Sequence, residues 1–422
     1  MKRKRWGSLG ILAAALLTAA ISGHAQTDPA QTGRAQTGRA QSSSPTPLRQ
    51  GFETAWARQP EQRAAALRRD AAAAGLRAAE RWTPETAALD LSTRSDRWHR
   101  NAGAREYEAA VSVPLWSPGE RAKSQAAAQS QAQAVDALLG AAQWRLADEV
   151  RDAYWARQRA RIEHEIAQHK LASAQGIARD VLRRVTAGDL ARADAHQADS
   201  AVAVAQSAVA EAAVAEAQGA QAWAQLTGQE LREGPQEPLP APMPLAGHPA
   251  LRELQAKVDL ARRQQDLAGV QTRANPELSL GTTRERDARG ERSAQSINVG
   301  LRIPLGRLSA SDARLATASA DLLEAQSQLE LETQRIDARI ALARTRVELL
   351  TQARDAAQRR AALAGESRGF FDKAFRLGES DLPTRLRIDL EAFEAERQAA
   401  RSRLEVGAAI SQLRQALGLL PE

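Results

Sequence analysis

The stretch Ile297-Asn298-Val299-Gly300-Leu301-Arg302-Ile303-Pro304-Leu305 decides the fold, because every odd position in it is apolar. Alternation with a period of two predicts a strand with one apolar face. A strand of about 9 to 11 residues is long enough to cross a bilayer at a tilt. After Pro304, an alanine-rich run without proline extends from Ser311 to Arg376. We therefore predict a strand that leads into a helix approaching ~100 Å in length.

The same landmarks occur earlier in the chain, in the same order and at a nearly constant offset. The residue numbers of Pro114 and Pro304 differ by 190, and so do those of Gly188 and Gly378. We call this difference the repeat offset. Residues 107–115 also alternate, with apolar side chains at the odd positions. A unit of this length indicates a duplicated half-protein rather than a short solenoid repeat.

The predicted organisation has five parts. They are a signal peptide over 1–25, a disordered polar linker over 26–48, a first repeat over 49–234, a proline-rich linker over 235–248 and a second repeat over 249–422. Each repeat is expected to contain an opening helix, a strand hairpin (87–115 or 277–305) and a long helical hairpin (118–228 or 310–418). The opening helices are expected over 50–81 and 249–273, and the loop of the second strand hairpin over 284–292.

The composition limits the compartment and the partners. Residues 2–25 combine a basic start, an apolar stretch and a small-residue cleavage site, which predicts export of the mature protein. The chain has no cysteine, so we expect no lipid anchor and no disulfide. Of the 58 Lys and Arg residues, four lie in the signal, which leaves 54 against 51 acidic residues. That balance argues against nucleic acid as a partner.

No further run of about 20 apolar residues follows, so no transmembrane helix is expected. An exported chain of this kind stays in the periplasm, leaves the cell or enters the outer membrane as strands. A half-buried hairpin of a soluble protein is the alternative for either strand pair alone. Two matched hairpins favour membrane strands, and because two hairpins cannot close a barrel, several chains must pool them.

The turns between the long helices carry stop and start signals. Gly188 and Gly378 can adopt the left-handed conformation that ends a helix. Asp189 is expected to cap the helix after the first turn, and Ser380 or Asp381 the helix after the second. Pro383 then fits the first helical turn.

These features together resemble the TolC-like outer membrane efflux proteins. The resemblance rests on the two halves, the proline-terminated strands at Pro114 and Pro304, and the glycine turns at Gly188 and Gly378. It implies a mainly α fold with a small β part, in which long antiparallel helical hairpins form an α-barrel. It also implies a homotrimer in the outer membrane lipid, with four transmembrane strands per chain in one shared β-barrel.

The resemblance further implies partners and cargo. A periplasmic adaptor and an inner-membrane pump of the RND type would deliver heavy-metal cations or drugs to the channel. The length, the absence of a lipidated cysteine and the character of the halves favour the heavy-metal-efflux branch typified by CzcC. A duct for type I protein secretion is the first alternative, and a periplasmic adaptor or coiled-coil protein without a pore is the second.

The two tips do not match the family pattern equally. Drug-exporting relatives carry an aromatic residue three positions before the tip glycine and an aspartate six positions after it. The first turn has Val185 and Asp194 at these positions, and the second has Phe375 and Thr384. The candidate residues for a gate or an adaptor contact are Gly188, Asp189, Asp194, Phe375, Gly378, Ser380 and Asp381.

Acidic residues at the tips could form rings that favour cations in a trimer. The competing interpretation is helix capping for Asp189 and Asp381, and simple solvation for Asp194 and Glu379. Asp194 is the residue that local structure explains least, which makes it the sharpest candidate for an ionic ring.

The sequence offers no recognisable catalytic motif, so we expect no enzymatic activity, no cofactor and no metal centre. His164, His169 and His196 lie on the long helices, and Glu165 and His169 are four residues apart. Two ligands fall short of a metal site, and solvated helix surface is the expected role of these residues.

Overall fold

The fold comes from a computed structural model in which residues 46–232, 234–241 and 243–422 are described. All of them belong to one unit, Pro45–Glu422. The predicted signal peptide and residues 26–45 of the predicted polar linker lie outside the described residues.

The first half contains four helices and two strands. In chain order they are α1 (Pro47–Arg58), α2 (Pro60–Ala79), β1 (Ala88–Ser95), β2 (Arg105–Pro114), α3 (Glu120–Ala187) and α4 (Arg192–Thr227). The prediction of one continuous opening helix over 50–81 is wrong. Pro60 lacks the N–H that would continue the helix, and Gln59 takes an extended conformation before it.

The second half repeats this order. After a 3-10 turn at Leu245–Gly247 come α5 (Pro249–Val270), β3 (Glu277–Arg286), β4 (Ala294–Arg302), α6 (Ser311–Leu377) and α7 (Leu382–Ala416). Strand β3 runs further than predicted, so the hairpin loop begins at Asp287 instead of Arg284. Helix α5 ends at Val270, before the predicted end at Arg273.

The four strands form one antiparallel sheet in the order β1-β2-β3-β4. The middle pair, β2 and β3, joins the two halves along its whole length, from Arg105 opposite Arg286 to Pro114 opposite Glu277. Each half therefore contributes a hairpin, and the hairpins unite edge to edge. The long helices leave the sheet from the ends of β2 and β4, opposite the hairpin loops. The fold is thus mainly α with a small β part, as predicted.

The helices pack lengthwise rather than around a compact centre. Helix α4 packs along α3, and α7 packs along both α6 and α3. The largest buried apolar cluster joins α1, α3, α4 and α7, and it contains Trp155 and Trp223. In the described part of the chain, no helix combines the length and the apolar character needed to cross a membrane.

The proline-rich segment between the halves is anchored in this core. The side chain of Glu237 is fully buried, and its carboxylate accepts hydrogen bonds from Arg151 at 2.7 and 3.1 Å and from Ser411 at 2.6 Å. The guanidinium of Arg414 lies 3.3 Å from the same carboxylate and donates to the Pro238 carbonyl. The segment thus fastens α3 of the first half to α7 of the second.

Candidate functional site

The two faces of the sheet differ in polarity. Opposed residues of an antiparallel sheet lie on the same face. One row of such residues crosses all four strands and is entirely apolar: Leu89, Val111, Leu280 and Val299. The adjacent row is Leu91, Ala109, Thr282 and Ile297. The other face carries Ser112, Ser279 and Gly300 at one level and Asp90, Ala110, Gly281 and Asn298 at the next.

The apolar face is open. Leu91 is 73% exposed and Ile297 is 75% exposed, although both are large aliphatic side chains. Strands β1 and β4 each pair on one side only within the described chain. Unpaired strand edges and exposed apolar patches are features through which chains can interact.

Helix α6 carries an uncovered apolar stripe. Every seventh residue from Leu349 to Leu377 is apolar and exposed, and the set is Leu349, Ala356, Leu363, Phe370 and Leu377. A spacing of seven residues places side chains on one face of a helix and is typical of a coiled-coil seam.

The first copy lacks a continuous stripe of this kind. At the repeat offset, the corresponding residues of α3 are Arg159, Ile166, Ser173, Asp180 and Ala187. Arg159, Ser173 and Asp180 are polar or charged, so they interrupt the apolar face. The two copies therefore differ in the surface that their long helices present.

The glycine turns have the predicted geometry. Gly188 and Gly378 take φ values of +88° and +79°, and each ends a long helix. The N–H of the following residue, Asp189 or Glu379, reaches back to a carbonyl of the last helical turn at 2.9 Å. This pattern satisfies carbonyls that the helix end would leave unpaired.

The caps of the following helices differ from the prediction. Asp381 caps α7 as expected, accepting a hydrogen bond from the Thr384 N–H at 3.1 Å. Hydrogen bonds from the Thr384 side chain and N–H lower the pKa of Asp381 below its ordinary value. Asp189 does not cap α4, because the N-cap position is Ala191, and the carboxylate of Asp194 accepts from the Ala191 N–H at 3.0 Å. The competing interpretation of Asp194 as simply solvated is therefore wrong, since its carboxylate has a local hydrogen-bonding role.

Four helices converge just behind the turns. Phe375 is buried with Ile177, Val181, Ala198 and Leu382, and Val185 packs against this cluster. The positions that correspond between the two tips, Val185 and Phe375, therefore share one small core. The guanidinium of Arg184 lies 4.7 Å from the centre of the Phe375 ring and donates to the Arg376 carbonyl at 2.7 Å. The ends of α3 and α6 are thereby tied together.

A groove of about 640 Å³ opens beside this core, between α3 and α6, with α7 contributing Arg385 and Asp389. Three glycines line it, Gly176 from α3 and Gly365 and Gly369 from α6, and a Cβ added to any of them would meet nothing within 4 Å. Glycine inside a helix costs about 0.5–1 kcal/mol relative to alanine. The three glycines therefore lower helix stability at positions where a methyl group would meet no neighbour.

Charged residues define the groove chemically. Arg385 pairs with Asp372 across α7 and α6, and Arg368 and Arg183 also line the space. Asp389 is buried, and that burial raises the pKa of its carboxyl, although the Ser173 hydroxyl donates to it at 3.2 Å. Arg183 also lies 3.0 Å from Asp180, so the groove is lined by paired charges of both signs.

The remaining predicted positions lie apart from the tip or serve local structure. Pro114 is the last residue of β2, and the N–H of Leu115 donates to the carbonyl of Pro276, just before β3, at 2.7 Å. Pro304 follows the end of β4 at Arg302. Ser380 is half-buried in the second turn.

His164 also departs from the prediction of solvated surface. It is mostly buried and hydrogen-bonds to the Glu216 carboxylate of α4, and this contact lowers the pKa of Glu216. His169 and His196 are exposed as expected. Among the described residues, no group of three or more histidine or acidic side chains is placed to hold a metal ion.

Sequence reasoning missed the buried Arg151–Glu237–Arg414 cluster. Glu237 lies among prolines in a segment that composition alone describes as a linker, so nothing local signals its burial. The role of His248 was also missed. It caps α5 by accepting from the Ala250 N–H at 3.2 Å, and its burial lowers the pKa of the imidazole.

Comparison with known proteins identifies this architecture. The sequence model of the outer membrane efflux protein family matches residues 52–229. The solved structure of CusC, described as undergoing transmembrane channel formation, aligns with a TM-score of 0.73 at 17% identity, covering 88% of this chain and 92% of that chain. No curated protein sequence gives a match.

Two further structures agree. The outer membrane protein VceC of Vibrio cholerae aligns with a TM-score of 0.71 at 18% identity, covering 89% of this chain and 97% of that one. The CmeC outer membrane channel of Campylobacter jejuni aligns with a TM-score of 0.70 at 14% identity, covering 94% of each chain. The predicted resemblance is confirmed: residues 52–229 match the model of the outer membrane efflux protein family, and the described chain has the TolC-like fold that these solved structures share.

Proposed function

We propose that this protein is the outer-membrane channel of a tripartite efflux system. It would act as a homotrimer in which each chain adds four strands to a shared barrel and four long helices to a periplasmic tunnel. Two exposed surfaces support the proposal. One is the sheet, which has two unpaired edges and an exposed apolar face, and the other is the exposed apolar stripe of α6.

The internal duplication supports a specific contact between chains. Helices α3 and α4 correspond to α6 and α7 at the repeat offset. Within the chain, α7 packs against α3. The corresponding contact would place α4 of a second copy against the stripe of α6. Leu404 of α7 is 8% exposed, whereas its counterpart on α4, Val214, is 58% exposed. A neighbouring chain would cover Val214 as α3 covers Leu404.

The tip is the proposed contact with the periplasmic adaptor. Its turns contain Gly188, Asp189, Gly378, Ser380 and Asp381, and the groove with the three glycines opens beside them. A groove that has a helix on each side and is lined by charges of both signs suits a helical segment with charged side chains. Asp194 and Phe375 belong to this region through the α4 cap and the tip core.

Assembly and conductance test the proposal together. The full chain should be extracted from the outer membrane only with detergent, should elute as a trimer and should form channels in planar bilayers. A monomeric protein recovered without detergent from the periplasm would contradict it and would favour an adaptor or coiled-coil protein without a pore.

The cargo and the pump belong to the same proposal. We assign heavy-metal cations or drugs to the channel and an inner-membrane pump of the RND type to its supply. Deleting the gene should lower the resistance of the cell to these compounds, and the wild-type gene should restore it. If secretion of a protein is lost while resistance is unchanged, the duct belongs to type I secretion.

A further inference from the structure

The sheet has a second feature beyond its apolar rows. Towards the hairpin loops, the next row on the apolar face is Thr93, Tyr107, Arg284 and Gln295, and the row after it contains Ser95, Arg105 and Arg286. Three arginines therefore lie on this face beyond the apolar rows, and these rows contain no acidic residue.

The opposite face at the same level has the reverse charge. Its rows contain Glu108 at one level, and Arg94, Glu106 and Glu285 at the next. Three carboxylates thus share that face with a single arginine. The separation of charge between the faces follows from the strand register, because the charges alternate in sign from Arg284 to Arg286 in β3 and from Arg105 to Glu106 in β2.

None of the three arginines forms an ion pair among the described residues, although Asp96 and Asp287 line the same pocket as Arg105 and Arg286. Arg105 lies directly opposite Arg286, and like charges in that position destabilise a strand pair. Arg286 donates to the Gly103 carbonyl at 3.3 Å, and Arg284 is exposed beside Tyr107. An anion that bridges Arg105 and Arg286 would remove this repulsion.

We propose that Arg105, Arg284 and Arg286 bind phosphate groups of lipids in the outer leaflet of the membrane. The inference rests on the proposed function, since it takes the apolar rows as the lipid-facing surface. Successive rows on one face are about 6.8 Å apart along a strand. The arginines would then stand one and two rows above the hydrocarbon boundary, at the level of the headgroups. Tyr107 fits the same boundary, where aromatic side chains with a polar group are enriched.

Lipid binding to the detergent-solubilised full chain tests the proposal. The probe is fluorescent lipid A carrying both phosphates, and the comparison lipid is the same molecule with its phosphates removed. The triple variant R105Q/R284Q/R286Q should bind the phosphorylated probe about 100-fold more weakly, since each arginine near an anionic lipid surface contributes about fivefold. The corresponding triple lysine variant should retain most of the binding.

The variant Arg94→Gln is the matched control, because it removes an arginine at the same level from the opposite face. Its affinity for the probe should stay within about twofold of wild type. Equal binding by wild type and R105Q/R284Q/R286Q would overturn the proposal. So would equal affinity for the dephosphorylated lipid, or displacement of the probe by millimolar inorganic phosphate.

The same preparation separates this inference from the channel proposal. Trimer formation and conductance are measured on wild type and on R105Q/R284Q/R286Q. If both form conducting trimers and neither prefers phosphorylated lipid, only the lipid inference fails. If wild type forms no trimer, the channel proposal fails whatever the lipid measurement gives.

Discussion

The two longest helices, α3 and α6, occupy corresponding places in the two halves but are covered to different extents. Helix α3 is packed by α4, α5 and α7 of its own chain, and the Arg151–Glu237 contact fastens it internally. Helix α6 keeps an exposed stripe from Leu349 to Leu377. The two halves therefore differ in one respect. The surface of α3 that faces α7 is covered within the chain, and we call it the closed seam, whereas the exposed stripe of α6 is the open seam. We expect a second copy of the chain to bind at the open seam. Substitutions can disrupt each of the two surfaces separately.

The largest effect is expected at the open seam. Leu363→Glu places a carboxylate in the middle of the α6 stripe, where assembly would have to bury it without a partner. We expect the trimer to be lost, with the monomer recovered in size-exclusion chromatography coupled to light scattering in detergent. The control is Ala362→Glu, which introduces the same carboxylate at an exposed residue about 100° away around the helix. A trimer that tolerates Leu363→Glu as well as the control would mean that the stripe is not an interface.

The closed seam should respond in stability rather than in assembly. Glu237→Ala leaves Arg151 and Arg414 buried without their shared carboxylate, and breaking a buried ion pair in this way costs about 3–5 kcal/mol. Denaturant unfolding of the full chain should show a lower midpoint. Glu230→Ala removes an exposed carboxylate from the residues just before this segment and should be neutral. If the two variants have equal midpoints, the segment does not fasten the halves.

This contrast also separates what the sequence could predict from what it could not. The alternation over 297–305, the glycine turns and the repeat offset were sufficient for the strands, the long helices and the TolC-like fold, because periodicity and backbone conformation are local properties. The burial of Glu237 and the convergence of Val185 with Phe375 depend on helices distant in sequence. The sequence did not predict that Asp194 rather than Asp189 accepts a hydrogen bond at the start of α4, because either carboxylate could do so. The position of the first helical residue decides between them.

A smaller effect on stability is expected at Asp389 in the groove, and the corresponding residue of the other half provides the control. Burial raises the pKa of Asp389 in the folded protein, so folding favours its protonated form. That favourable contribution is fully present below the unfolded pKa of about 3.8 and is lost as the pH rises through the raised value. Asp389→Asn keeps an acceptor for the Ser173 hydroxyl without the charge. Its melting temperature should therefore exceed that of wild type at pH 7, and the difference should vanish in acid.

Asp199, which corresponds to Asp389 at the repeat offset, is exposed on α4 and provides the control. Asp199→Asn should leave the melting temperature unchanged across the same pH range. If Asp389→Asn destabilises the protein at pH 7, the carboxylate is satisfied in its charged form, and the arginines of the groove outweigh the burial.

The smallest effect is expected at the tips, where each turn has one carboxylate that hydrogen-bonds to the start of the following helix. The two turns place this carboxylate at different positions. The second turn places its carboxylate at the N-cap, Asp381, with Thr384 three residues later. The first has Ala191 at the N-cap and its carboxylate three residues later, at Asp194. The exchange Ala191→Asp with Asp194→Thr rebuilds the second cap in the first turn and should preserve the melting temperature. Asp194→Ala alone should lower it slightly, because the Ala191 N–H loses its acceptor.

Conductance of these two variants in planar bilayers then distinguishes a cap from an ionic ring. The exchange keeps the number of carboxylates in the first turn but moves one of them from residue 194 to residue 191, about one helical turn earlier. A cap predicts that cation selectivity is the same in wild type, in the exchange variant and in Asp194→Ala. A ring predicts that selectivity falls in Asp194→Ala in proportion to the lost charge, and the exchange variant then reports whether the position of that charge matters. Unchanged stability in Asp194→Ala together with altered selectivity would assign Asp194 to the conduction path rather than to the helix.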